Sequence, residues 1–261
     1  MVTVQPPSVL SITIVTVCFN AVATIETTLR SVIDQNWTNR EHIVIDGGST
    51  DGTLDVLEQY RHRCSAIVSE TDSGIADAMN KGLKLAHGDY VAFIHADDFL
   101  ASPDALSQAV EALERHQRPP LFGLPIEFET TTGQRKFFPP DSFERPWLKG
   151  YPHQGTLVRR DVFERYDGFD TAFQICMDYE FFLRCRRQGL HMVVDSAPVF
   201  AVMGGAGISS QLDWRSLSQR FGEERTIHMR HASGYMMQFG YLLYWALYIP
   251  FRRLRLMLLG Y

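Results

Sequence analysis

In Tyr90-Val91-Ala92-Phe93-Ile94-His95-Ala96-Asp97-Asp98-Phe99-Leu100, an apolar run typical of a buried strand ends in two adjacent carboxylates. Carboxylates at the carboxyl end of a strand suit a hard divalent cation, because Mg²⁺ and Mn²⁺ prefer oxygen ligands and keep positions open for substrate phosphates. Either acid could instead serve in a turn or cap the helix that begins near Ser102-Pro103-Asp104. The sequence upstream favours the metal.

A second strand-like run, Glu41-His42-Ile43-Val44-Ile45, leads into the glycine-rich turn Asp46-Gly47-Gly48-Ser49-Thr50-Asp51-Gly52-Thr53 and then into a helical pattern. Ligands of open α/β sheets bind outside the carboxyl ends of the strands, so we expect Asp46 to line the same crevice as the paired acids. Asp51 fits better in the tight turn that feeds the helix. Asp46, at the strand tip, is the better ligand candidate.

Alternating strands and helices predict one large α/β domain. A buried strand is predicted at 12–18, a helix at about 22–34 and further strands near 65–68 and 90–94, which implies a mostly parallel sheet. The 261 residues, 45% of them hydrophobic, are enough to form a substantial core. Past Pro119-Pro120 the alternation weakens, and 121–140 is typical of a hairpin around Thr131-Thr132-Gly133.

Several ordered motifs resemble those of family 2 glycosyltransferases, which have the GT-A fold. They are Asn20 with Thr24-Ile25, Ser31-Val32 with Gln35, the Asp46 to Thr53 turn, Ser69 to Gly82, Ala96-Asp97-Asp98, Pro152-His153-Gln154-Gly155, Val158-Arg159-Arg160, Gly168-Phe169-Asp170 and Met177-Asp178-Tyr179-Glu180. The resemblance covers roughly residues 10–210 and implies a nucleotide-binding half at about 8–118 and an acceptor half at about 119–215. The termini fall outside it, and 216–261 is expected to form an amphipathic or hydrophobic helical tail. It also implies an inverting transferase that uses a nucleoside-diphosphate sugar.

The resemblance assigns the paired acids to a metal, Mg²⁺ or Mn²⁺, that neutralises the departing diphosphate as a Lewis acid. Asp98 is the expected direct ligand. Asp97, beside it, either contacts the ribose or holds the metal through water. His95 occupies a place where the family can carry another acid, and it either supports the ligands or packs structurally.

An inverting transferase needs a general base for the acceptor hydroxyl, and the resemblance places this base at Asp178. Glu180 is the competitor. On a helix the two side chains point about 200° apart, so only one can face the cleft. Glu180 is then either a surface acid or the partner of Arg184 at i+4. A helix cap is the structural alternative for Asp178.

For the nucleotide, the resemblance implies contacts from Thr16 to Phe19, from Asp46, and from Asp72 near the base and ribose. Asn80 and Lys81 are lesser candidates, and Lys81 either offsets phosphate charge or is an ordinary solvated lysine. Two positions depart from the family pattern. Val17 replaces a common proline, and Gly47 stands where a second acid is frequent.

Two loops complete the expected site. His153, followed by Gln154, lies in a loop where polar side chains are often functional, and we expect it to border the sugar or the acceptor. The segment Gly204-Gly205-Ala206-Gly207-Ile208-Ser209 is either a flap that orders over the donor or merely a flexible loop.

Charge and cysteine content narrow the class of partner. The net charge of −5 argues against nucleic-acid binding, since the acids at the strand tips would repel a phosphate backbone. The four cysteines lack CxxC spacing and are interpreted as reduced and structural. Met1 to Leu10 lacks the pattern of a signal peptide, so we expect a cytoplasmic catalytic domain.

The C-terminal run Tyr235 to Phe251 is apolar and aromatic, and Arg252, Arg253 and Arg255 follow it. It is near or below the roughly 20 residues that span a bilayer, and Pro250 interrupts it. Residues 235–261 are therefore expected to form an interfacial helix or shallow hairpin at the inner face of the cell membrane. Self-association into a homo-oligomer is the alternative.

The sequence thus predicts transfer of a sugar to a glycan or lipid-linked acceptor in cell-surface polysaccharide or glycolipid biosynthesis. A nucleotidyltransferase would need basic residues in the first glycine-rich turn, and Asp46 to Thr53 contains no lysine or arginine. A non-catalytic scaffold that binds nucleotide sugars is a further alternative, against which the presence of both Asp98 and Asp178 argues.

Overall fold

The computed structural model describes residues 9–130, 132–140, 152–205 and 213–259. Its main sheet has seven strands, which are, in spatial order, β10 (Val193–Val194), β6 (Leu121–Gly123), β9 (Thr156–Arg159), β4 (Tyr90–Phe93), β1 (Ile12–Cys18), β2 (Arg40–Asp46) and β3 (Ala66–Ser69). Neighbouring strands are parallel, except that β9 runs antiparallel to both β4 and β6. The mostly parallel sheet is confirmed.

A second sheet of four strands has the order β5 (Phe99–Leu100), β11 (Ala201–Met203), β7 (Ile126–Glu129) and β8 (Arg135–Phe138). β7 and β8 form the predicted hairpin, and Gly133 adopts a φ of +75° in its turn. Thr131 lies outside the described residues. Because β5 directly follows the paired acids, this sheet begins at the candidate metal site.

The helices are α1 (Ile25–Ile33), α2 (Thr53–Tyr60), α3 (Ile75–Leu85), α4 (Ala105–Arg115), α5 (Arg160–Arg165), α6 (Met177–Arg187), α7 (Trp214–Arg230) and α8 (Tyr235–Leu259), with single 3₁₀ turns at Arg61–Arg63 and His153–Gly155. α1 begins three residues later than predicted. The reason is that Ala21 and Val22 donate their amides to Thr53 and Asp51, so this segment pairs with the glycine-rich turn instead of joining the helix.

Strand register brings the candidate residues to one edge of the main sheet. All seven residues of β1 are buried, and Cys18, at its end, is paired with Asp46 at the end of β2. Asp46 is in turn paired with Ser69, at the end of β3. The ends of these parallel strands therefore form one crevice edge, as the sequence predicts. The four cysteines are free thiols, as expected.

α7 and α8 pack against each other around an apolar cluster formed by Leu217, Phe221, Tyr241, Trp245 and Leu256. At its edge, Trp245 Nε1 donates to His228 Nδ1 (3.1 Å), and His228 Nε2 lies 2.8 Å from the Tyr179 hydroxyl. Burial lowers the pKa of His228 to about 4, so the ring is neutral. Because tryptophan can only donate, the proton of His228 is on Nε2 and is donated to Tyr179. This chain of contacts links α8 through α7 to α6.

Candidate functional site

The paired acids lie just beyond β4, which ends at Phe93, one residue earlier than predicted. Asp98 is buried, with 1% of its surface exposed. Its Oδ2 accepts from Gln154 Nε2 (2.9 Å) and its Oδ1 from the Gly204 amide (3.0 Å). Burial, together with repulsion from Asp97, raises the pKa of Asp98 to about 7. Asp97 is half-buried, and burial raises its pKa as well.

The turn that carries these acids is fixed from α1. The Asp98 amide donates to the His95 carbonyl (3.0 Å), which closes the turn. The Thr28 hydroxyl then donates to the Asp98 carbonyl at 2.7 Å. These two contacts fix the backbone at Asp98, from which its carboxylate projects towards Gln154 and Gly204.

His95 packs inside the protein beside this turn. Burial lowers its pKa well below the ordinary value, and its Nδ1 atom has no hydrogen-bond partner among the described residues. The centroid of its ring lies 4.5 Å from that of His153. His95 is thus a neutral ring that packs, tilted, against His153.

Asp178, the candidate base, is the second residue of α6. Its Oδ2 lies 3.1 Å from His153 Nδ1, and its Oδ1 accepts from the amide of Tyr179 (2.7 Å). The start of α6 is capped from α7, because the Glu223 carboxylate accepts from the amides of Ile175 and Cys176, both at 2.9 Å. Asp178 thus uses Oδ1 for an amide of the first turn of α6 and directs Oδ2 towards His153, and 22% of its side chain stays exposed.

Glu180, the competitor, faces the opposite side of α6. Its side chain is 3% exposed and pairs with Arg184 Nη2 (3.0 Å), which confirms the i+4 alternative. Its second oxygen lies 3.0 Å from His231 Nε2. Glu180 is therefore committed to packing α6 against the residues that follow α7.

The Asp46 carboxylate is fully buried and organises the glycine-rich turn. Its Oδ2 accepts from the Gly48 amide (3.1 Å), the Ser49 amide (3.0 Å) and the Ser69 hydroxyl (2.6 Å), and its Oδ1 accepts from the Ser49 hydroxyl. Burial by itself raises the pKa of Asp46, but the hydrogen bonds from Ser49 and Ser69 outweigh it and lower the pKa below its ordinary value. Asp46 therefore holds the crevice wall together as an ionised group.

Three other candidates for nucleotide contact are bound to protein groups. Thr16 is fully buried and its hydroxyl lies 3.0 Å from His42 Nε2. Asn80 exchanges two hydrogen bonds with the backbone of Phe169, at 2.8 and 2.9 Å. Lys81 is not free, because Glu70 and the Thr71 carbonyl each hold its Nζ at 2.9 Å. Their described contacts stabilise the crevice.

Asp72 lies beside the carboxyl ends of β1 and β2. A Cβ atom on Gly47 would come within 2.5 Å of Asp72 Oδ2 and 3.5 Å of the Phe19 ring, which is 63% exposed. A side chain at position 47 would therefore require the Asp72 carboxylate to shift. Asp72, Gly47 and Phe19 together line the part of the crevice where the base and ribose are expected.

Two residues matter more than the sequence suggested. Gln154 donates to Asp98, and Gly204 approaches so closely that a Cβ atom on it would overlap the Asp97 carbonyl oxygen. The antiparallel pairing of β9 with β4, which places the turn before β9 opposite the end of β4, could have indicated Gln154. The predicted flap at 204–209 lies outside the described residues from 206 onward.

Residues 13–167 match the family model described as glycosyl transferase family 2. An uncharacterized glycosyltransferase of Mycobacterium tuberculosis is 34% identical over 180 residues, which cover 67% of this chain and 68% of that protein. A PGL/p-HBAD biosynthesis glycosyltransferase of Mycobacterium bovis is 29% identical over 170 residues, covering 64% and 66%.

Solved structures of two proteins share the architecture. TarS of S. aureus superposes with a TM-score of 0.65 at 18% identity over 88% of this chain, which spans only 41% of TarS. Its fragment 1–349 has been solved in complex with UDP-GlcNAc, with a TM-score of 0.65 at 17% identity over 84% of this chain and 66% of the fragment. The mannosyltransferase PcManGT of Pyrobaculum calidifontis, solved with GDP-Man and Mn²⁺, gives 0.67 at 18% identity over 93% of this chain and 72% of that one. At these identities the likeness shows the GT-A fold alone.

Proposed function

This chain belongs to glycosyltransferase family 2, and from that premise we propose that it is an inverting, metal-dependent enzyme that moves a sugar from a nucleoside-diphosphate sugar to a glycan or lipid-linked acceptor. The observation that carries the proposal is the acid pair just beyond β4, of which Asp98 is buried and Asp97 half-buried. Solved neighbours bind UDP-GlcNAc or GDP-Man with Mn²⁺, which supports this class of donor.

A divalent cation fits the acid pair. Among the described residues neither Asp97 nor Asp98 forms an ion pair with lysine or arginine, and the pKa of each is raised, so the pair lacks a compensating charge. A carboxylate offers about four lone-pair sites, so Asp98 keeps acceptor capacity beyond its two hydrogen bonds. We assign Asp98 as the ligand, with Asp97 beside it. When bound, Mg²⁺ or Mn²⁺ would supply charge neutralisation for the leaving diphosphate.

Asp178 is assigned as the general base. The acceptor hydroxyl must lose its proton as the new glycosidic bond forms, and a carboxylate on the face opposite the leaving group can take it. Asp178 is partly exposed, and among the described residues no lysine or arginine pairs with it. Glu180 is buried in its own ion pair, which leaves Asp178 as the base of choice.

The C-terminal helix supports a peripheral membrane contact. α8 exposes apolar side chains at helical spacing over its full length of about 37 Å, and these are Met236, Phe239, Leu243, Leu247, Phe251, Leu254, Met257 and Leu258. Arg253 and Arg255 are exposed on the same helix. Within the described part of the chain, no helix combines the length and hydropathy needed to cross a bilayer. We propose that α8 lies along the inner face of the membrane, where the acceptor would be lipid-linked.

Nucleotide binding tests the catalytic proposal. Calorimetric titration of UDP and GDP is run first with Mn²⁺ and then with EDTA. We expect metal-dependent binding of one nucleotide, loss of that binding in Asp98→Asn, and retained binding without transfer in Asp178→Asn. Asp55→Asn, an exposed acid on α2, is the matched control. Equal loss of binding in the two site variants would contradict these roles.

Vesicle sedimentation tests the membrane contact. We expect the protein to sediment with vesicles containing anionic lipid, and the double variant Leu243→Ser with Leu247→Ser to remain in the supernatant. Leu54→Ser, an equally apolar but isolated exposed position on α2, serves as the control. Unchanged sedimentation of the double variant, or a loss of dimers instead of a loss of lipid binding, would favour self-association.

A further inference from the structure

One 3₁₀ turn, His153–Gly155, touches both carboxylates to which the proposed function assigns chemistry. His153 Nδ1 lies 3.1 Å from Asp178 Oδ2. The next side chain, Gln154, places its Nε2 2.9 Å from Asp98 Oδ2. The metal carboxylate and the base carboxylate are therefore bridged by two successive residues.

The turn is held firmly by its surroundings. The Gly155 amide donates to the Pro152 carbonyl at 3.1 Å, and the Leu124 amide donates to the Gly155 carbonyl at 2.8 Å. The chain then enters β9, which is hydrogen-bonded on both sides, to β4 and β6. Gln154 is 6% exposed. The backbone that carries both side chains is therefore fixed by the sheet.

We propose that His153 and Gln154 are positioning residues that fix the distance and orientation between Asp98 and Asp178. This inference rests on the proposed function and adds the residues that hold the metal ligand and the base in fixed relative positions. In a displacement reaction the two groups must act on opposite sides of the reacting carbon, so a shift of about 1 Å in either can cost 10²-fold in rate.

Each contact requires a hydrogen-bond donor. A carboxylate that acts as a base only accepts, so the Nδ1 atom of His153 donates in its contact with Asp178. The Nε2 atom of His153 is buried and has no hydrogen-bond partner among the described residues. An asparagine at 153 would place its amide nitrogen on Cγ, where the histidine has Nδ1, so it can replace the donor but not the ring.

The test compares His153→Ala, His153→Asn and Gln154→Ala, with the exposed His191→Ala as control. Release of nucleoside diphosphate from UDP-N-acetylglucosamine or GDP-mannose, with water as acceptor, gives kcat, and calorimetry gives the nucleotide Kd. We expect His153→Ala to lower kcat about 10²-fold with an unchanged Kd, and His153→Asn to recover most of that loss. Gln154→Ala should raise the Mn²⁺-dependent Kd at least about 10-fold.

Two results would overturn the proposal. One is an asparagine variant no more active than the alanine variant, which would make the ring itself the proton acceptor. The other is a His153→Ala variant that raises the nucleotide Kd and leaves kcat unchanged.

Nitrogen NMR of the imidazoles tests the contact without catalysis. We expect His153 as the Nδ1–H tautomer in the wild type, with the tautomer mixture altered in Asp178→Ala. The opposite tautomer in the wild type would refute the contact even if the enzyme is active, whereas failure to bind nucleotide would refute only the proposed function.

Discussion

Replacing Asp46 by alanine should lower the free energy of unfolding, whether or not a ligand is bound. The carboxylate is buried and accepts from the Gly48 and Ser49 amides and from the Ser49 and Ser69 hydroxyls. Hydroxyl groups can rotate towards other acceptors, but the two amides cannot. A buried donor left unsatisfied costs about 1–3 kcal/mol. Counting the two amides alone, we expect Asp46→Ala to lose about 2–6 kcal/mol of unfolding free energy.

Urea unfolding followed by circular dichroism measures this loss. Asp46→Asn keeps one carbonyl oxygen for the amides and should lose only about 1–2 kcal/mol. Asp72→Ala is the matched control, because Asp72 is half-buried and accepts from one amide, that of Gly74 (2.9 Å), so we expect a loss of about 1 kcal/mol. Asp46→Ala as stable as the wild type, but unable to bind nucleotide, would refute the structural role and make Asp46 a ligand.

Three further predictions concern Asp46, Gly204 and Glu180. The difference in unfolding free energy between the wild type and Asp46→Asn, measured in urea, should narrow as pH falls below about 4. The reason is that a carboxyl group whose pKa is lowered on folding adds stability above its ordinary pKa of about 3.9, and this stability is lost as pH falls through the pKa of the folded state. A difference that stays constant with pH would contradict this. Gly204→Ala should weaken Mn²⁺-dependent nucleotide binding in calorimetry, because the added Cβ would push the end of β11 away from the Asp97 carbonyl. Unchanged affinity would show that the backbone can shift here without moving the acid pair. Glu180→Ala should lower the free energy of unfolding in urea by about 3 kcal/mol, because it leaves Arg184 without its buried partner. A loss below about 1 kcal/mol would mean that water replaces the carboxylate.

The strands could be predicted closely because burial on both faces leaves an unbroken apolar run in the sequence. β1 coincides with the predicted 12–18, and β2 extends the predicted run by one residue at each end. The start of α1 could not be predicted, since the amide of Val22 is captured by Asp51 from another part of the chain. Local sequence determined the strands, and a long-range hydrogen bond determined the helix boundary.

The candidate site shows the same division. The pair Glu180–Arg184 was predictable because residues four apart share a helix face. Asn80 bonds Phe169 across 89 positions, and Gln154 bonds Asp98 across 56, so no local pattern reports either contact. Residue type and strand position therefore predicted the location of the candidate site. Which of its residues hold other protein groups instead of facing the crevice depended on how distant loops fold back onto it.

The contact chain from Trp245 through His228 to Tyr179 bears on how this protein can be shortened. A chain cut after Arg230 would lose the apolar face of α8 and, with it, both Trp245 and the Tyr241 ring that stacks on His228 at 4.3 Å. His228 would then be open to water and free to change tautomer, directly against the residue that follows Asp178 in α6. Trimming the tail to gain solubility would therefore also alter the surroundings of the proposed base, and a weak activity in such a fragment would say little about the intact enzyme.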